Sequence, residues 1–226
     1  DSSNSSLLNR ATQGAYPPGS TFKIVTALSY LKAHGSIDGY DYNCEGSITM
    51  DGHTITCYDG EVHGEEDCTT AFAKSCNSAF ASIGVDLGKS KLTQTAESLL
   101  FNSKLPIPIE YNKSKFDLGE HPGKPLLMQT SIGQGNTLVS PMHMAMIVSA
   151  IANDGVLMKP YYVDHVENVN GDVVKTTKPA EYKRILETSE ATVMQNLMEA
   201  VVNQGTASSL SGENYSAAGK TDRKSV

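Results

Sequence analysis

The sequence predicts a mixed α and β fold dominated by helices, and three observations carry that expectation. Five stretches repeat apolar residues at helical spacing, two short alternating stretches flank Asp-Gly or Asn-Gly dipeptides, and 226 residues with 39% hydrophobic side chains can bury a sizeable core. The formal net charge is −7 and the lysines and arginines are scattered. Phosphate backbones need clustered cations, so no nucleic-acid surface is expected. The chain has no apolar run of the roughly 18 residues that a membrane span needs, and "DSSNSSLLNR" has neither the basic start nor the apolar stretch of a secretory signal. As it stands the chain is expected to be soluble, with any signal or membrane anchor of a parent protein lying upstream.

The elements follow in order. Behind a polar lead, "YPPGSTFKIV" opens a first helix near Ser20, continued by Ile24, Val25, Leu28 and Leu31 and stopped at His34-Gly35. In "CEGSITMDGHTITC", Ile48, Met50 and Ile55 alternate about Asp51-Gly52, the pair that supplies positive φ to a tight hairpin. Helices are expected from Thr69 to Leu87, with Gly88 behind it, and from Leu92 to Phe101; residues 102–124 read as loop. "SPMHMAMIVSAIANDG" gives a helix with Pro141 in its first turn and Gly155 beyond its end. A second hairpin turns at Asn170-Gly171, Ser189 to Asn203 is helical again, and "YSAAGKTD" reads as a strand.

Ser20 could simply cap the first helix. It also stands three residues before Lys23, on one helical face, where a neutral amine could take the hydroxyl proton and the helix amino end could stabilise an oxyanion. That spacing is weak by itself, because Ser29 and Lys32 repeat it in mid-helix. Two further stretches add weight: "KSCNSAF" places Ser75 and Asn77 on one side with Cys76 pointing elsewhere, and "AGKT" offers Lys220 and Thr221.

S-x-x-K, S-x-N and K-T in that order resemble the three active-site motifs of penicillin-binding proteins and serine β-lactamases. "NRATQGAYPPGSTFKIVTAL", "HGEEDCTTAFAKSCNSAFASIG", "SIGQGNTLVSPMHMAMIVSAIANDG" and "LMEAVVNQGTA" look like the transpeptidase domain of class B penicillin-binding proteins, over most of the chain from Asn9 to Thr221. The resemblance implies that family's fold, a helical subdomain plus an α/β sandwich, here in one partial domain over residues 1–226 with much of the sheet missing. It implies a serine D,D-transpeptidase of the extracytoplasmic face that cross-links peptidoglycan stem peptides, is acylated by β-lactams, needs no catalytic cofactor and works with a membrane glycosyltransferase. Carried over, Ser20 is the nucleophile and Lys23 its base. Ser75 relays a proton to the leaving amine, Asn77 holds the substrate amide and Lys23, Lys220 supplies positive potential, and Thr221 binds the substrate carboxylate. Gly133, Gln134 and Gly135 match the family's "GQG" turn beside the substrate, where glycine is first a backbone requirement.

Two features depart from the pattern. The third motif normally continues with glycine, where the chain has Asp222, which brings bulk and negative charge near the oxyanion site, so weak or absent activity of this chain is expected. "DRKSV" has no family counterpart, and a lone terminal strand with open edges invites pairing with another chain. Four cysteines leave three readings open. Cys44 with Cys57 could form a disulfide across the hairpin; Cys44, Cys57, His63 and Cys76 could hold a structural zinc, as in a subgroup of class B enzymes; or the thiols are free and buried. Met142, Met144, Met146, His143 and His165 read as structural, and "VKTTKP" is rejected as a second K-T motif because it follows a hairpin turn. A β-lactam sensor or hydrolase on the same scaffold and a noncatalytic, metal-holding remnant are the alternatives to a transpeptidase.

Overall fold

A computed structural model of the chain describes residues 8–212 and 214–222; the tail 223–226 lies outside them. Among the described residues six helices dominate: α1 (Lys23–His34), α2 (Cys68–Ala73), α3 (Asn77–Ser98), α4 (Lys124–Ser131), α5 (Pro141–Ala152) and α6 (Thr188–Gln204). Eight short strands are β1 (Asp41–Cys44), β2 (Ser47–Met50), β3 (His53–Thr56), β4 (Gly64–Asp67), β5 (Val156–Met158), β6 (His165–Glu167), β7 (Val173–Thr176) and β8 (Glu181–Arg184). They form four antiparallel pairs, β1–β4, β2–β3, β5–β8 and β6–β7, and no wider sheet among the described residues.

Helix α1 is the axis of the core. Ile24, Val25, Ala27, Leu28 and Leu31 are all buried on it, so it is apolar nearly all round and must be covered on every side. Helices α3, α4 and α6 supply that cover. A 3-10 turn, Gly19–Phe22, leads into it, and Phe22 anchors that turn: its ring stacks on Phe116 at 5.8 Å and meets Phe101 edge-on at 5.9 Å, all three buried. Burial of such a ring contributes roughly 2–3 kcal/mol, and here it fixes the chain between Ser20 and Lys23. Gly35 ends α1 in the left-handed conformation, its N–H on Leu31 O at 2.8 Å, as the Gly stop predicts.

The β2–β3 hairpin has the expected register, Ile48 opposite Ile55, with Asp51 and Gly52 both at positive φ. Ser140 caps α5 and Pro141 stands in its first turn, while a Glu187–Glu190 capping box opens α6. The methionines of α5 pack on the core, and "VKTTKP" lies on the exposed β6–β7 hairpin.

Three expectations are corrected. The single helix over Thr69–Leu87 is broken at 74–76, because Ser75 takes φ 59° and Cys76 turns into a thiol cluster. The Leu92–Phe101 segment is continuous with the helix before it through a kink at Gly88, and it ends at Ser98, where Leu100 and Asn102 turn left-handed. "YSAAGKTD" is not a strand: Gly219 N–H donates to Met198 O at 3.0 Å, and no strand among the described residues offers it a ladder. Helix α4, with Pro125 in its first turn, had no sequence expectation.

Candidate active site

Four of the five residues proposed to be catalytic meet at one atom. The Nζ of Lys23 lies 2.7 Å from Asn77 Oδ1, 2.7 Å from the Ser75 carbonyl, 3.1 Å from Ser75 Oγ and 3.3 Å from Ser20 Oγ. Three elements deliver them: the 3-10 turn brings Ser20, the buried first turn of α1 brings Lys23, and the break between α2 and α3 brings Ser75 and Asn77. Ser75 needs its left-handed backbone to present carbonyl and hydroxyl together, a conformation that costs a non-glycine residue about 1 kcal/mol or more. Ser20 does not cap α1, whose amino end has no side-chain cap.

The contact lengths sort the chemistry. The carbonyl and the amide oxygen accept only, so each 2.7 Å contact uses one N–H of Lys23. A neutral amine has two N–H bonds and one lone pair, and the two hydroxyls at 3.1 and 3.3 Å stand within reach of that lone pair.

The remaining assigned residues make contacts of their own. Gly19 N–H donates to Gly133 O at 3.0 Å, and a Cβ on Gly133 would stand 1.8 Å from Gly19 O at φ +79°. Gly133 therefore sets the backbone beside Ser20 by close approach. Gln134 and Gly135 are exposed beside it. Lys220 holds its ammonium 5.7 Å from the Phe72 ring centroid and donates to Thr221 O, and Thr221 Oγ1 meets Thr206 Oγ1. The Ser20 N–H donates to Asp222 Oδ1 at 3.1 Å. Thr206 and the Thr56 carbonyl, which accepts from Asn77 Nδ2 at 3.0 Å, were not singled out from sequence; neither carries a residue-type signal of its own.

Behind Ser75 and Asn77, the side chains of Cys44, Cys57, His63 and Cys76 bring their ligand atoms within 4.8 Å of one another. All four cysteines of the chain are free, and Cys44 and Cys57 stand 3.7 Å apart, against about 2.05 Å for a disulfide. A zinc–sulfur bond of about 2.3 Å makes a tetrahedral edge of about 3.8 Å. The Cys44–Cys57 and Cys57–Cys76 separations are 3.7 and 3.8 Å, and His63 Nδ1 lies 3.4 Å from Cys44 Sγ. Ser78 Oγ sits 3.2 to 3.5 Å from three sulfurs, Gly46 and Ala79 N–H groups point at Cys44 and Cys76, and His63 Nε2 faces Glu61 at 3.5 Å. These are the outer contacts that orient metal ligands. The Cys57 thiol is pulled down to about 4, first by its hydrogen bond from Cys76, while Cys76 is pushed up by the same bond. The buried carboxylate of Glu66 interacts with the Cys76 thiol and lies 3.9 Å from His63 Nδ1. Three sulfurs and an imidazole within 4.8 Å of one another, with a buried carboxylate beside them, are a donor set that fits a cation.

No helix among the described residues is long and apolar enough to cross a membrane. Residues 1–221 match the family model for the penicillin-binding protein transpeptidase domain. The chain is 32% identical over 209 residues to the peptidoglycan D,D-transpeptidase PbpA of Mycolicibacterium smegmatis, covering 88% of the chain and 41% of that protein. The D,D-transpeptidase domain of a peptidoglycan glycosyltransferase from Eggerthella lenta superposes with a TM-score of 0.88 at 28% identity, over 98% of this chain and 57% of that one. The penicillin G acyl-enzyme complex of penicillin-binding protein A from M. tuberculosis superposes with a TM-score of 0.79 at 30% identity, over 89% and 48%. The chain spans about two fifths of the length of its curated PbpA relative. A mixed fold with an S-x-x-K, S-x-N hub, matched along nearly its whole length, means that the chain belongs to the penicillin-binding protein transpeptidase domain family, of the class B type.

Proposed function

We propose that the chain carries the acyl-transfer site of a peptidoglycan D,D-transpeptidase, and the contact pattern of Lys23 is the observation that supports it most. Ser20 Oγ attacks the carbonyl between two terminal D-alanines as its proton passes to Lys23 Nζ. The tetrahedral oxyanion collapses to an ester on Ser20, the C–N bond breaks, and the leaving D-alanine amine takes a proton through Ser75 Oγ, 3.1 Å from Lys23. An amine of a second stem peptide then attacks the ester, forms the new amide and returns the proton to Ser20. Asn77 fixes Lys23 and the substrate amide, Lys220 and Thr221 receive the substrate carboxylate, and Gly133–Gly135 border the cleft. β-Lactams stop at the ester stage.

In the same reading the catalytic steps need no cofactor, and Cys44, Cys57, His63 and Cys76 hold a structural zinc. With four protein ligands such a site is closed, and the ion supplies cross-linking of β1, the β2–β3 hairpin and α3 rather than catalysis. Cys76 lies between Ser75 and Asn77, and Cys57 follows Thr56, so the cluster braces the hub. The parent protein works on the extracytoplasmic face beside a glycosyltransferase, on one partial domain that these 226 residues supply, and open backbone at the terminal segment gives a route to self-pairing.

Incubation with a fluorescent penicillin, followed by mass spectrometry of the Ser20 peptide, tests the reaction, with Asp222→Gly run beside the parent chain. An adduct on Ser20 lasting hours supports the transpeptidase; rapid release replaces it with a hydrolase; a folded Asp222→Gly chain with no adduct refutes acyl transfer. Elemental analysis of protein purified without added zinc should return one zinc per chain, lost in Cys57→Ser.

A further inference from the structure

Away from the acyl-transfer hub, the seam between α1 and the second half of α3 opens into a cleft of about 250 Å³. Helix seams ordinarily close on apolar side chains; this one is bordered, Ala33 apart, by side chains that carry polar ends on apolar stems. From α1 it is lined by Ser29 and Lys32, and from α3 by Lys91, Gln94 and Thr95, each set at the three- and four-residue spacing of one helical face. No carboxylate lines it, and its two charged side chains are both lysines, in a chain of net charge −7. Ser29 is 1% exposed, and its hydroxyl has no hydrogen-bond partner among the described residues. That is an unmet polar group on the wall of a cavity with cationic sides.

The two lysines retain donors. Lys32 places its ammonium 2.9 Å from both oxygens of Glu190, which uses two of its three N–H bonds. Lys91 is exposed and pairs with no carboxylate among the described residues. The space would hold one small anion with a few waters, at about 30 Å³ per water.

We propose that this cleft binds a small oxyanion, inorganic phosphate or a short carboxylate, through Lys32, Lys91 and the Ser29 hydroxyl. Charge-assisted hydrogen bonds from two ammonium groups supply the attraction, and the buried hydroxyl supplies a directional contact that surface lysines lack. The site uses neither Ser20 nor Lys23, so it stands or falls apart from acyl transfer.

The test titrates the full chain with inorganic phosphate and, separately, with succinate at constant ionic strength, following backbone amide shifts. The expected result is a saturable shift centred on Ser29, Lys32, Lys91 and Gln94. Lys91→Gln should weaken binding at least about fivefold and Ser29→Ala at least about threefold, while Lys175→Gln on exposed β7 leaves it unchanged. Ser29→Ala removes an unpartnered hydroxyl from a helix, so that variant should fold. Saturation by phosphate only, or by succinate only, assigns the anion. Shifts that never saturate or that spread over the surface lysines, or wild-type affinity in both cleft variants, overturn the proposal.

Discussion

Lys23 and Asn77 lie 54 positions apart in the chain and meet at 2.7 Å, an amine against an amide oxygen that can only accept. The amide keeps one N–H of Lys23 occupied without offering it a negative charge. Asn77→Asp would keep the shape and add the charge, favouring the ammonium form, which has no lone pair for Ser20. The variant loses the Asn77 Nδ2 hydrogen bond to the Thr56 carbonyl, which costs about 1 kcal/mol or more against the gained charge pair, while penicillin acylation at neutral pH falls roughly 100-fold or more and recovers as pH rises. Stopped-flow acylation from pH 6 to 10 measures this, and an unchanged rate and profile would remove Lys23 as the base.

How far the sequence reaches is visible in these two residues. Ser20 and Lys23 are legible because both the motif and the geometry are local: a turn into a helix whose apolar face is written at regular spacing. The partner segment is legible as a motif and misread as structure. Thr69–Leu87 reads as one helix because every residue in it tolerates helix, and the left-handed Ser75 is imposed from outside by Lys23 and by the sulfurs around Cys76. "YSAAGKTD" failed for the opposite reason. A strand is a relationship between segments, and the terminal stretch has a strand-like composition with no neighbouring strand among the described residues. The thiol set was legible as residue types at loose spacing; only the fold brings β1, β3 and α3 together to make it one cluster.

Gly133 tests whether the "GQG" turn acts through the backbone. An added Cβ would meet Gly19 O at 1.8 Å, on rigid main chain next to the nucleophile, and at positive φ. Gly133→Ala should cost about 3 kcal/mol or more, or prevent folding. Gly171→Ala, at φ +84° with open space around it, should cost only about 1 kcal/mol. Urea unfolding of the two variants compares them directly; equal losses would mean that the contact with Gly19 is not what selects glycine.

His143 predicts the acid limb of stability. It is 1% exposed, and its Nε2 must carry the hydrogen, because its partner at 2.8 Å is the Leu99 carbonyl; Nδ1 then accepts from Ser114 Oγ at 2.7 Å. Burial lowers its pKa. The unfolded chain therefore takes up a proton, near pH 6.5, before the folded one does, so this contribution is complete above that pH and declines as pH falls toward the folded value. His143→Gln should be less stable at pH 8 yet lose less between pH 7 and 5 than the parent chain. Parallel losses in urea midpoints would place the acid sensitivity elsewhere.

In the proposed reaction the Ser20 N–H serves as an oxyanion donor, and Asp222 holds it with a carboxylate oxygen at 3.1 Å. Two effects follow, and they have the same sign. The donor is already committed, and a fixed negative charge stands where negative charge must develop, so the transition state is disfavoured more than the ground state. Losing one oxyanion donor ordinarily costs about 100-fold to 1000-fold in rate. Asp222 is exposed, so solvent screens part of its charge and its side chain can swing away, which places the effect at or below the lower bound. Asp222→Gly should therefore raise the second-order rate of penicillin acylation by roughly 10-fold to 100-fold. Asp222→Asn removes the charge but keeps an acceptor, and should recover only part of that gain. Both rates are measured on the Ser20 peptide, and an Asp222→Gly chain that acylates no faster than the parent would mean that the Ser20 amide takes no part in stabilising the oxyanion.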